Sequence, residues 1–262
     1  MTILEEIHAA AGRPLPELAG THHAAGRRCA ALFCGFIPPE IVHAAGAVPM
    51  RLRATGHSGT DAGSTYFAQT HCSLVRHAFD MAMRGRFADF DAVMFSTGCD
   101  HSRRVYDAWR HADAAPALRL LVPVSSDSTP AAVVALEREL EKLAATLREA
   151  WNVELTDDNL RAAIRLYNRQ RSLLDQVSRA RQADDCRITG TDVLALHQAV
   201  SSLPVVEGNT LLERLLAGMP GMPARENRTG TRLFLVSSHF EDLRRMATIE
   251  EFGGLVVGDL MC

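Results

Sequence analysis

The first half of the chain carries its apolar residues in short runs, the second half in helical stripes. Residues 27–34 (RRCAALFC), 91–95 (DAVMF) and 119–124 (RLLVPV) read as strands. Residues 47–52 (AVPMRL) are another extended stretch, in which Pro49 argues against a fully paired central strand. Pro38-Pro39-Glu40 opens a helix that Gly46 ends, with proline in the first turn and glycine just past the last. Residues 71–84 (HCSLVRHAFDMAMR) place Leu74, Val75, Ala78, Phe79, Ala82 and Met83 on one helical side, and residues 102–109 form a further helix. Strands alternating with helices at this pitch predict right-handed βαβ units and a Rossmann-like parallel sheet.

After Ser125 the period changes. From Pro130 to Trp151, apolar residues recur at Val133, Leu136, Leu140, Leu143, Leu147 and Trp151, a long helix whose stripe is expected to pack into the core. Thr156-Asp157-Asp158 caps a second helix, with Leu160, Ile164, Tyr167 and Leu174 in line, and a third starts near Thr191-Asp192. Strand character returns at TRLFLVSS from residue 231, followed by a polar helix and the strand LVVGDL. The expected organisation is an α/β domain over 1–127, a helical segment over 128–229 and the start of a second α/β domain over 230–262. Two strands and one helix are too few to bury their own faces, so this last part either leans on the first sheet or belongs to a longer protein of which this chain is a truncated form.

Composition narrows the function classes. The 262 residues are 47% hydrophobic and 23% charged with a net charge of −3 and no run of like charges, which predicts neither nucleic-acid nor membrane partners. The start, MTILEEIHAAAGRPLPEL, is amphipathic and partly acidic rather than signal-like, and a cytoplasmic location is expected. Six cysteines are too sparse for a disulfide scaffold, and none forms a C-x-x-C pair. There is no G-x-G-x-x-G or P-loop, which argues against a nucleotide site of those types.

Three cysteines occupy chemically similar places. Cys34 follows the apolar run ALF and precedes a helix, Cys99 follows VMF and precedes another, and Cys72 stands at the start of the helix CSLVRHAFD. In an open parallel sheet the ligand crevice lies beyond the carboxyl ends of the strands, where helix N-termini favour thiolates and anions. A metal or iron–sulfur site is one reading; buried structural thiols are the other, because gaps of 38 and 27 residues match no compact ligand motif. Cys29, within a strand, and Cys186, in an inter-helix loop, read as structural.

The segments FCGFIPPEIVHAAGAVPMRL, THCSLVRHAFD and DAVMFSTGCDHSRRVYDAW, in that order, resemble the 2-hydroxyacyl-CoA dehydratase / benzoyl-CoA reductase subunit family. LTDDNLRAAIRLYNRQRSLL, TRLFLVSS and GGLVVGDL follow the same course, so the resemblance covers essentially the whole chain. It implies a [4Fe-4S] cluster with Cys72 and Cys99 as ligands and Cys34 as a further ligand that only some subunits possess. A cysteine of the family's second α/β domain lies beyond this chain, and Cys262 does not take its place. The implied chemistry is one-electron reduction of an acyl-CoA thioester to a ketyl radical anion, in partnership with a second homologous subunit and an ATP-dependent iron–sulfur activator protein.

His101, Arg103 and Arg104 follow Cys99 and would contact cluster sulfides or CoA phosphates, or else form a solvated helix face with Asp100 and Asp107. His71, Arg76 and His77 flank Cys72 in the same two-sided way, and His43 reads as a packed helix residue. No catalytic residue is assigned. Two other readings stand beside the enzyme subunit: a non-catalytic or truncated scaffold subunit pairing with a complete partner, and a plain CoA- or nucleotide-binding domain whose cysteines bind zinc or nothing.

Overall fold

The computed structural model describes residues 1–33, 35–115, 117–120, 129–223 and 230–261, so Cys34 and Cys262 lie outside the described residues. In chain order the first elements are α1 (Ile3–Gly12), α2 (Leu15–Ala24), β1 (Arg28–Leu32), α3 (Pro39–Ala44), β2 (Ala47–Arg51) and α4 (Asp61–Tyr66). Then come α5 (Ser73–Met83), β3 (Ala92–Ser96), α6 (Asp100–His111), β4 (Ala117–Leu120) and α7 (Pro130–Trp151). The remainder is α8 (Asp157–Gln182), α9 (Gly190–Val200), α10 (Val205–Gly218), β5 (Thr231–Val236), α11 (Leu243–Glu251) and β6 (Gly254–Leu260). The chain divides into two units, one of residues 14–164 and one that joins residues 1–13 to 165–262. Among the described residues no helix is long and apolar enough to cross a membrane.

In the unit of residues 14–164, four parallel strands run in the order β2-β1-β3-β4. This is the α/β, Rossmann-like sheet expected from the alternation of elements. Burial on both faces explains why its strands read as continuous apolar runs. Cys29, Ala31, Phe33, Val93 and Phe95 face a core shared with α2, α5 and α6, while Ala30, Leu32, Ala92 and Met94 face one shared with α3 and α7. Trp109 of α6 is fully buried, with Phe79, Phe87 and Phe95 around it at ring separations of 5.1–6.4 Å. Pro49 is accommodated because β2 is an edge strand. Helix α3 ends as expected, with Gly46 at φ +81, a conformation that glycine adopts without strain.

Three expectations need adjustment. Helix α6 begins at Asp100 rather than Ser102, because Cys99 is its N-cap. The strand expected over 119–124 is seen as Ala117–Leu120, and residues 121–124 lie outside the described residues. The stripe of α7 is core only in its second half: Leu143, Leu147 and Trp151 are buried, whereas Val133 is 54% exposed.

The second unit is mainly helical. Its core gathers Ile7 and Ala11 of α1 with Leu173 and Val177 of α8, Leu196 of α9 and Leu212 of α10. Two polar ties fix α1: His8 Nε2 lies 2.8 Å from Asp192 Oδ1, and Arg214 donates to both Glu6 oxygens at 2.9 and 2.7 Å. The Asp192 carboxylate also accepts from the Thr189 N–H and hydroxyl, closing a capping box on α9. Strands β5 and β6 pair in parallel across α11, whose Glu250 carboxylate accepts from the N–H groups of Gly190 and Thr191 at 2.8 and 3.1 Å.

Candidate functional site

The winding of the four-stranded sheet determines where a site is placed. From β1 the chain passes by α3 to β2 on one side; the next strand, β3, lies on the other side of β1. Successive crossovers therefore cover opposite faces, and the loops that leave the adjacent carboxyl ends of β1 and β3 diverge around a crevice. The two strands stay paired to that edge, where the Phe33 N–H donates to the Met94 carbonyl at 2.9 Å. Cys34 follows Phe33 directly, and Cys99 lies three residues beyond the end of β3.

Three loops meet at this edge. The Phe36 ring, 57% exposed, lies over Gly98, where an added Cβ would come within 2.4 Å of it and would displace the ring. The segment before α5 joins them through His71, whose ring is 5.3 Å from that of His101 at an angle of 67°. Cys72 and Cys99 are the N-cap residues of α5 and α6, and neither helix start carries a side-chain cap hydrogen bond. The structure thus brings the segments of Cys72 and Cys99 together, with Cys99 exposed and Cys72 half-buried.

The polar surroundings are short of acceptors. His71 Nδ1, Arg76 Nε, Ser96 Oγ and Ser102 Oγ are all buried with no hydrogen-bond partner among the described residues. Each such group left without a partner costs roughly 1–3 kcal/mol. That cost is offset when an electron-rich group occupies the edge, and a thiolate-bound iron–sulfur cluster is such a group. The donor set therefore fits a cluster in type: thiols at two helix N-termini, with side-chain donors that lack partners among the described residues in the first turns of the same helices. Among the described residues no three His, Cys, Asp or Glu side chains converge as a metal site.

The other expected site residues divide by function in the fold. Arg103 Nε donates to the Thr97 carbonyl at 2.8 Å and its guanidinium lies 3.7 Å from Asp100, which ties the Cys99 turn to the start of α6. Arg104 is exposed, and His101 is half-buried against His71. Cys29 is fully buried in β1, and burial, with Asp91 and Asp89 nearby, pushes its thiol up to about 12, which suits a structural residue. Burial also pushes the His43 imidazole down, favouring its neutral form.

Sequence reasoning missed Phe36, Ser96, Ser102 and a polar cluster under the loop after β2. In that cluster Asp80, fully buried in α5, accepts from Arg84 Nε at 2.6 Å and from the Ala62 N–H at 2.8 Å, and His57 Nε2 lies 2.9 Å away. Burial alone would raise the Asp80 carboxyl, but these hydrogen bonds outweigh it and hold the group below its ordinary range. His77 adds an approach of 3.0 Å from Nδ1 to the Gly59 carbonyl. No local pattern announces the cluster, because His57 and Asp80 are 23 residues apart.

Comparison with known proteins supplies the family. Residues 34–262 match the family described as 2-hydroxyglutaryl-CoA dehydratase, D-component. A benzoyl-CoA reductase subunit of Thauera aromatica is 27% identical over 228 residues, covering 86% of this chain and 58% of the relative. The beta subunit of lactoyl-CoA dehydratase of Anaerotignum propionicum is 24% identical over 172 residues, 66% of this chain and 45% of the relative. The beta subunit of (R)-2-hydroxyglutaryl-CoA dehydratase of Acidaminococcus fermentans is also 24% identical, over 65% of this chain and 45% of its own length. The chain spans about half the length of the curated relatives it matches.

Proposed function

The chain belongs to the 2-hydroxyglutaryl-CoA dehydratase D-component family, and from that premise we propose that it is an iron–sulfur subunit of an acyl-CoA dehydratase or reductase. Cys72 and Cys99, joined by Cys34, would hold a [4Fe-4S] cluster. The observation that carries this reading is that Cys72 and Cys99 cap two helices whose starting segments meet through His71 and His101, each helix having a buried donor in its first turns without a partner among the described residues. When bound, such a cluster supplies single electrons at low potential, which reduction of a thioester carbonyl to a ketyl radical anion requires.

The protein's own residues have separate tasks in this reading. The first turns of α5 and α6 direct uncapped N–H groups toward the edge and favour negative charge there. Arg103 holds the Cys99 turn to β3 through Thr97. His101 packs against His71 and keeps the two thiol-bearing segments adjacent. Arg104, exposed at the start of α6, would meet a CoA phosphate. Phe36 lies over Gly98 and would cover that side of the crevice. The cluster-binding part lies within residues 1–127, and the partners are a thioester substrate, a second homologous subunit and an ATP-hydrolysing activator.

Anaerobic purification or reconstitution with iron and sulfide tests the reading. A brown protein with about four irons per chain, as a [4Fe-4S] unit requires, that loses them on Cys72→Ala or Cys99→Ala is the expected result. A wild-type protein that stays colourless after reconstitution contradicts it.

A further inference from the structure

The buried donors without partners are arranged relative to the thiols in a regular way. Ser102 stands three residues after Cys99, and Arg76 four residues after Cys72, so each lies in the first turns of the helix that its cysteine caps. Ser102 is 2% exposed and its hydroxyl has no partner among the described residues, although it sits in the first turn of α6. Arg76 Nε is buried without an acceptor in the first turns of α5. His71 precedes Cys72, and its ring meets that of His101, which precedes Ser102, so the starts of the two helices approach each other at these rings. A hydroxyl, a guanidinium N–H and an imidazole nitrogen have in common that each can donate. If the edge were closed by packing alone, apolar side chains would serve better at these positions.

We propose that Ser102, Arg76 and His71 are positioning residues that donate hydrogen bonds to sulfur atoms held between Cys72 and Cys99, and thereby raise the reduction potential of that group. This inference rests on the cluster reading above. Hydrogen bonds to cluster sulfurs favour the reduced form, because that form carries the extra negative charge. Ser102 acts from α6 and Arg76 from α5, so each thiol has a donor on its own helix. His71, with its proton on Nδ1, supplies the third from the segment before α5.

The test compares wild type with Ser102→Ala, Ser102→Thr and Arg76→Met after anaerobic reconstitution. Iron and acid-labile sulfide are measured first, then the midpoint potential by an absorbance-monitored redox titration. The expected result is unchanged iron in all four proteins, a shift to more negative potential in Ser102→Ala and Arg76→Met, and a return to the wild-type value in Ser102→Thr, which keeps the hydroxyl. Full iron with an unchanged potential in both donor-removing variants overturns this inference and leaves the cluster reading standing. Wild type without iron and sulfide overturns both. Because Ser102→Ala and Arg76→Met alter different helices, the failure of one to fold leaves the other as a complete test.

Discussion

In the four-stranded sheet every residue of β3, and all of β1 after Arg28, is buried; in the two-stranded sheet Phe234, Val236 and Leu260 are 64%, 72% and 66% exposed. Both sheets are parallel and both use a helical crossover, so strand type does not make the difference. Helices lie on both faces of the larger sheet, and its winding reverses between β1 and β3. That reversal separates two loops at the carboxyl edge and leaves room for side chains from both. The β5-β6 pair has one crossover and no reversal, and none of the expected metal ligands lies in it. The candidate site is therefore a product of topology, and its cysteines acquire a chemical setting from where the winding places them.

The contrast between the sheets is most open to test in their cores. Phe95→Ala removes a fully buried ring between Phe33, Tyr106 and Trp109 and is expected to destabilise the unit of residues 14–164 by about 4 kcal/mol. Denaturant unfolding followed by the fluorescence of Trp109 and Trp151, both in this unit, checks this, and a loss near that of a surface substitution would refute the double-covered sheet. Next is the buried carboxylate. Asp80→Asn leaves Arg84 and His57 facing a weaker acceptor and is expected to cost about 2 kcal/mol in the same unfolding measurement.

Acid probes the same group without mutation. The Asp80 carboxyl titrates below its ordinary value, so its contribution is complete above the usual aspartate range near pH 4 and disappears as pH falls through the depressed value. In the other unit the sign reverses. The hydrogen bond to Asp192 holds the His8 imidazole above its ordinary value against the opposing effect of burial. The His8 contribution is therefore complete below about pH 6.5 and is lost as pH rises through the raised value. A thermal melt of His8→Phe should lack that alkaline decline and show a smaller acid loss as well, because the hydrogen bond from His8 is the largest of the causes that hold the Asp192 carboxyl low. The smallest effect is expected at Phe234→Ala, within about 0.5 kcal/mol, since the ring is already in solvent; a large loss there would mean that the exposed face is covered.

Much of the larger sheet was legible in the sequence because burial on both faces writes itself as unbroken apolar runs, as in Cys29 to Phe33 and Ala92 to Phe95. Placement of Cys72 and Cys99 at helix starts was legible too, from the turn residues before them and the helical spacing after. Helix α4 was not, because DAGSTY has no apolar period and owes its position to Gly63 lying against the Arg76 backbone. Nor was the joining of residues 1–13 to 165–262: the stripe of α1 shows which face is buried, but not that Leu196 and Leu212 bury it. The unpartnered hydroxyl of Ser102 could be found only from structure, since a serine in a first turn is ordinary in sequence.

Whether the carboxyl edge of the four-stranded sheet, at the β1/β3 reversal, holds an iron–sulfur cluster on Cys72 and Cys99 is decided by an anomalous difference map at the iron edge, from crystals grown anaerobically. Iron bonded to the sulfurs of both residues, beside Ser102 and His71, is the expected result. Iron bound instead at Cys186 or on the surface, with Cys72 and Cys99 free, is incompatible with a cluster at this edge.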